Sequence, residues 1–190
     1  MKNNRIHKMM IAALLCAIGI IIPMFSPLQI RLEPASFTLA SHVAIMIAMF
    51  VSPSVAIGVS LGTTIGFLMG GFPIVIVARA LTHVIWAGIG AYVLKSKPQI
   101  TQKMSSLLMF MLMISLIHGL CELIIVCPFY FGNNLGTGYY AKGFVFAVVG
   151  LVGIGSVIHS MVDFVISIII QKVLLKNKSI RSICVVKEIL

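Results

Sequence analysis

Long apolar runs, interrupted only by short polar links, leave this chain one setting in which to fold. Of its 190 residues, 60% are hydrophobic and 9% are charged, against about 25% charged in an ordinary soluble domain. Too little polar surface remains to cover a fold in water. A bilayer removes that demand. Its hydrocarbon core is roughly 30 Å thick, so a spanning helix needs about 20 mostly apolar residues. The chain accommodates about six such segments and leaves no room for a separate soluble domain. The fold class read from it is an all-α integral membrane protein of about six transmembrane helices. A single membrane domain covers 1–175, and a basic tail follows over 176–190.

The apolar runs predict helices over about 8–25, 34–51, 53–70, 73–94, 105–127 and 141–175. Prolines at 34, 53 and 73 suit first turns. The stretch 128–140, rich in Gly, Asn and Tyr, reads as a loop. The last predicted helix is longer than one span needs, so it tilts or projects from the bilayer. The basic stretch before the first run imitates a signal peptide. Further spans follow and no small-x-small cleavage site is evident, so the segment reads as a retained first helix.

The net charge of +10 does not indicate a nucleic-acid partner, because it is gathered into three clusters between apolar runs. Lys2, Arg5 and Lys8 precede the first helix. Lys95, Lys97 and Lys103 separate the fourth and fifth. Lys172, Lys176, Lys178, Arg181 and Lys187 close the chain. With six spans all three fall on one side, the cytoplasmic side by the positive-inside rule, which puts both termini there. Arg31, Arg79 and Lys142 remain for the other half.

Ionisable groups inside spans are costly and often functional. Arg79 and Glu122 each lie about five residues from the outer end of their helices, with His83 and His118 one turn deeper. His42 falls at a similar depth. This outer layer is a candidate binding pocket: Arg79 can meet a carboxylate in a bidentate contact, the histidines can donate to or accept from a heterocycle, and Trp86, Tyr139 and Tyr140 offer faces to a planar ring. Asn133 and Asn134, with the glycines around them, suit a lid. Plainer readings stand beside these: an internal Arg79–Glu122 ion pair, histidines that only pack, and interfacial tyrosines. His159 and Asp163, one turn apart on the last helix, read as too deep for this layer and as a structural pair or partner contact.

Gly58, Gly62, Gly66 and Gly70 share one face of the third helix, and Ala13 and Ala17 one face of the first. Either face serves internal packing or a subunit interface. Cys16, Cys121, Cys127 and Cys184 form no CxxC pair and no metal-ligand spacing. Neither a metal nor a cofactor is expected in this chain.

The Ala13-Leu-Leu-Cys-Ala17 stretch resembles the alanine motif of the S components of energy-coupling factor (ECF) transporters, small vitamin-binding membrane proteins of about six helices. Two further stretches are similar to the niacin-type members: Glu33-Pro-Ala-Ser-Phe-Thr-Leu-Ala-Ser-His42 continuing to Pro53, and Gly71-Phe-Pro-Ile-Val-Ile-Val-Ala-Arg79-Ala-Leu-Thr-His83. The resemblance implies a non-enzymatic subunit of an ATP-driven importer in the cell membrane. It would bind a small vitamin, niacin in this subtype, and associate through Ala13 and Ala17 with a transmembrane coupling subunit and two cytoplasmic ATPases. Consistent with ATP hydrolysis by partners, the chain has no GxxxxGK[ST] loop.

An S component for another vitamin is the nearest alternative. An ion-coupled secondary transporter would call for an internal repeat, and none is evident. An intramembrane enzyme would need a nucleophile with a base, or a metal site. The chain has no HExxH, and His118 with Glu122 is the one local acid–base pair in the outer layer.

Overall fold

The structure, a computed structural model, describes residues 2–32 and 35–190, without the side chains of 2–4, 29–32, 35, 36 and 139. In lipid every backbone polar group needs an internal partner, and most of the chain meets that need as helix. Among the described residues, four helices are long and apolar enough to cross a membrane. They are α1 (Lys2–Phe25, with its candidate span over Arg5–Phe25), α4 (Ile74–Ser96), α5 (Met104–Phe131), and the continuous 30-residue run Val145–Leu174. That run opens as a π-helix over Val145–Ile154 and continues as α7 (Gly155–Leu174). The 17-residue α3 (Pro53–Met69) is at the short end of what a span requires.

The second predicted helix is not formed as expected. Two antiparallel strands, β1 (Gln29–Leu32) and β2 (Ala35–Thr38), pair Gln29 with Thr38 and Leu32 with Ala35. Only then does α2 (Val43–Val51) begin. Nine residues rise about 14 Å, roughly half the hydrocarbon thickness. The first half of the expected helix is lost because Thr38 and Ser41 favour local non-helical bonding, and because α7 supplies another partner for this backbone. The amides of Ala40 and His42 donate to the two oxygens of the Asp163 carboxylate, at 2.8 and 2.9 Å.

All nine residues of α2 are buried, with α1, α3, α4 and α7 packed around it. Its far end is closed by the C-terminal segment. After the short α8 (Lys178–Ile183), Val185 N–H donates to the carbonyls of Phe50 and Val51, both at 3.0 Å, and Leu190 N–H to Thr101 at 3.1 Å. Ile183, Cys184, Val186 and Ile189 are buried there. The end of the basic tail is therefore packed against the bundle, because α2 ends in carbonyls that need donors. His7 and Met10 of α1 flank Ser179 and Ile180 at this same end.

Two other boundaries move. Helix α5 runs through Pro128 to Phe131, and the short α6 (Thr137–Ala141) precedes a turn at Gly143. The last long helix thus starts at Val145 rather than near 141.

Large apolar side chains project outward, among them Met9, Leu14, Ile65, Leu120 and Ile169, as lipid contact permits. Lipid is as apolar as the protein interior, so the helices associate through close packing rather than the hydrophobic effect. The glycines of α3 serve it: Cys16 and Ile20 of α1 lie against Gly62 and Gly66. Gly58 faces open space. Gly119 admits the backbone of the π segment, since a Cβ there would stand 2.8 Å from the Gly153 carbonyl oxygen and 2.7 Å from Val157. Gly119→Val should therefore lower stability by about 1–3 kcal/mol, while Gly58→Ala should leave it unchanged. Thermal unfolding in detergent reads both, and equal loss in the two variants would contradict this packing.

Candidate functional site

The broken backbone before α2 opens a cavity of about 120 Å³, well below the roughly 300 Å³ at which sites for drug-sized ligands begin. It suits a molecule of about one ring. The cavity lies away from the α8 end, near Pro23, Phe67 and Phe72. Phe37 and Thr38 of β2 wall one side, and Ile76, Arg79 and His83 of α4 another. Glu122 of α5 and Ser156 and His159 of α7 complete the polar lining with Ser41 and His42.

One polar cluster is organised around Glu122, which is almost fully buried. Arg79 Nη2 donates to Oε2 at 2.7 Å, and Ser156 donates its hydroxyl to the same oxygen. Oε1 faces two imidazoles, with His118 Nε2 at 3.4 Å and His83 Nε2 at 3.9 Å. Neither imidazole makes a hydrogen bond there. Arg79 Nη2 and Glu122 thus form an ion pair whose guanidinium lines the cavity.

The second cluster is organised around Asp163. Besides holding Ala40 and His42 by their amides, its Oδ2 lies 3.1 Å from His42 Nδ1 and 3.4 Å from His159 Nε2. Ser41 Oγ is 3.0 Å from His159 Nε2. Ala40 is held at φ 66°, a left-handed conformation that costs a non-glycine residue roughly 1–2 kcal/mol. The Asp163 carboxylate holds it in place. His42 joins the two clusters: its ring centroid is 4.7 Å from that of His118, 5.0 Å from His83 and 5.1 Å from His159.

The structure thus brings Arg79, His83, Glu122, His118 and His42 together. Trp86 is fully buried behind them, 5.0 Å ring to ring from His118, and neither it nor His118 lines the cavity. Tyr140 is engaged within its own loop, donating to the Tyr130 carbonyl and accepting from Leu135 N–H, both at 3.2 Å. Asn133 sits in an exposed turn at φ 55°. Neither lines the cavity, because α5 continues past Pro128 and carries the loop beyond it. The side chain of Tyr139 and residues Glu33 and Pro34 lie outside the described residues.

The reading of His159 as too deep is corrected: it lines the cavity. The helix starts later than expected, and π winding closes its hydrogen bonds over five residues instead of four, so each residue advances less along the axis. Ser156, Phe37 and Ser41 were not anticipated. The i, i+4 spacing of His159 and Asp163 was the one signal available for α7.

No family model matches the chain, and no solved structure matches it. The niacin transporter NiaX of Lactococcus lactis subsp. cremoris (strain MG1363) is 37% identical to it over 175 residues, which cover 92% of this chain and 78% of that protein.

Removing the Asp163 carboxylate leaves two amides without their acceptors. Asp163→Ala should destabilise the protein by about 3–5 kcal/mol, and Asp163→Asn by less, since one carbonyl acceptor is kept. A thermal unfolding midpoint for Asp163→Ala equal to that of the parent chain would remove the role assigned to this carboxylate.

Proposed function

The chain belongs to the family of the niacin transporter NiaX, the niacin-type S components that its motifs resemble, and from that premise we propose that it binds nicotinic acid in the cavity beside Arg79. The observation that carries the reading is an arginine lining a one-ring cavity within the membrane bundle of a chain with this ancestry.

Nicotinic acid is a flat heterocycle bearing a carboxylate. In this reading Arg79 receives the carboxylate, and Glu122 and Ser156 hold the guanidinium in place. Phe37, His42 and His83 contact the ring and its nitrogen. His159 and Ser41 line the opposite polar wall. Tyr139, Tyr140 and Asn133 belong to the loop carried beyond the cavity and act when it moves over the ligand.

The rest of the importer is supplied by partners: a transmembrane coupling subunit and two ATPases. Ala13 and Ala17 support the docking assignment, because both are exposed on α1 and small residues admit a close helix approach. The protein would cross the cell membrane several times with both termini in the cytoplasm. The start of α1, the link carrying Lys97 and Lys103, and the C-terminal segment lie at one end of the bundle, in keeping with the positive-inside rule. The cavity then faces outward. This chain would itself catalyse nothing.

Titration of the detergent-purified chain with nicotinic acid, nicotinamide and a panel of other vitamins tests the reading. Tight binding of nicotinic acid and much weaker binding of nicotinamide is the expected result. Binding of a different vitamin instead would discard the ligand and keep the family. Arg79→Ala should weaken nicotinic acid binding about 100-fold or more, the cost of losing a buried charged partner. Arg79→Lys, which keeps the charge but loses the planar fork, should fall in between. Unaltered affinity in Arg79→Ala would sink the assignment. Ala13→Trp should leave binding intact and abolish uptake by whole cells. Normal uptake in that variant would remove the docking face from α1.

A further inference from the structure

Two histidines at the centre of the bundle make no hydrogen bond among the described residues. His83 and His118 expose 9% and 0% of their side chains, yet none of their four ring nitrogens makes a hydrogen bond. Neutral imidazole carries one donor and one acceptor, and burying either without a partner is costly. In a bilayer no bulk water makes up the loss. Ligand atoms from His83, His118, His42 and Glu122 all lie within 4.8 Å of one another.

We propose that His42, His83, His118 and Glu122 bind one divalent late first-row transition metal ion of the Zn²⁺ and Co²⁺ type. Three imidazoles and a carboxylate oxygen are a donor set for such an ion, whereas Mg²⁺ and Ca²⁺ take oxygen ligands throughout. The surroundings are those of a metal site. A ligating histidine ordinarily donates its second ring N–H to a carboxylate, and His42 Nδ1 is 3.1 Å from Asp163 Oδ2, which leaves Nε2 for the ion. Ligating carboxylates are themselves hydrogen-bonded. Arg79 and Ser156 hold Glu122 Oε2 and leave Oε1 turned toward His118 and His83. Bonds of 2.0–2.1 Å in a tetrahedron set ligand atoms about 3.4 Å apart, so the side chains must draw in slightly from the spacing seen here.

Charge points the same way. Among the described residues of the two clusters, the carboxylates of Glu122 and Asp163 are set against the one guanidinium of Arg79, which pairs with Glu122, and this leaves a net negative charge when the imidazoles are neutral. A dication reverses it. If the niacin reading holds, an ion bound there stands beside the cavity lined by His42, His83 and Glu122 and helps to receive an anionic vitamin. The neighbouring group of His42, His159 and Asp163 is not chosen, since Asp163 is already committed to two backbone amides and Ser41 lies within bonding distance of His159. No CxxC or HExxH signals the site in the sequence, because its four ligands come from two helices, α4 and α5, and the lead into a third, α2.

The test uses the full chain, purified in detergent with a histidine-free tag and stripped with a chelator. Co²⁺ is titrated while visible absorption and thermal unfolding are followed. The expected result is about one Co²⁺ per chain, with the strong visible bands of tetrahedral coordination and a raised unfolding midpoint. The His83→Gln/His118→Gln variant should bind at least about 100-fold more weakly, while His159→Gln should retain the ion. No uptake by the parent chain, or unchanged uptake by the double variant, overturns the proposal. Should the double variant not fold, stoichiometry and spectrum of the parent chain decide. Vitamin binding is read separately. Co²⁺ uptake without nicotinic acid binding defeats the niacin reading and leaves the metal standing, whereas nicotinic acid binding with no Co²⁺ uptake does the reverse.

Discussion

The carboxylate of Asp163 is what allows the chain to break inside the bundle. A helix that starts at membrane depth presents amides with no intrahelical acceptor, and no water is at hand to take them. Asp163 accepts from Ala40 and His42 at the lead into α2. Its negative charge also sits where the helix dipole is positive. With those amides satisfied, β2 need not continue as helix, and the space a straight second span would have filled becomes a cavity. The position of His42, the strained Ala40 and the polar floor of the cavity all depend on this one side chain of α7.

The second buried carboxylate has a different role. Glu122 draws together α4, through Arg79, and α7, through Ser156. Asp163 anchors backbone, whereas Glu122 aligns side chains. His42 stands between them, within ring contact of the other three core histidines. A site linked in this way resists being altered one residue at a time, since moving His42 disturbs the start of α2 as well as the histidine layer.

The bundle divides its tasks by end and by face. One end holds the basic links and the packed C-terminal segment, which closes α2 through Val185. The cavity lies toward the other. Along α1, Cys16 and Ile20 turn inward to the glycines of α3, while Ala13, Leu14 and Ala17 turn outward. Glycine there serves internal packing, and the outward alanines are left for lipid or for another protein.

Much of this was legible in the chain itself. Apolar run length identifies a membrane helical protein, because the bilayer thickness sets a minimum span. It located α3 and α4 to within a few residues. Arg79, Glu122, His83 and His118 fell at one level because equal distance from the ends of adjacent antiparallel helices means equal depth. Counting residues from a helix end gives the wrong depth where the helix is not a regular α-helix. The hairpin before α2 and the π winding before α7 both change the rise per residue, so His159 stands nearer the cavity than a regular helix would place it, while the continuation of α5 past Pro128 carries Tyr140 and Asn133 beyond it. Beyond the weak local preference of Thr38 and Ser41, each irregularity is held by groups distant in sequence: Asp163 holds the backbone at 40 and 42, and Gly119 makes room for the π segment. Composition and periodicity by themselves determined that this is a membrane helical bundle with ionisable groups in its interior, as a matter of solvent and span length. Only the tertiary structure decided which backbone could leave the helix and therefore where the cavity lies, because an unpaired amide in the bilayer is tolerated only where another element brings it an acceptor.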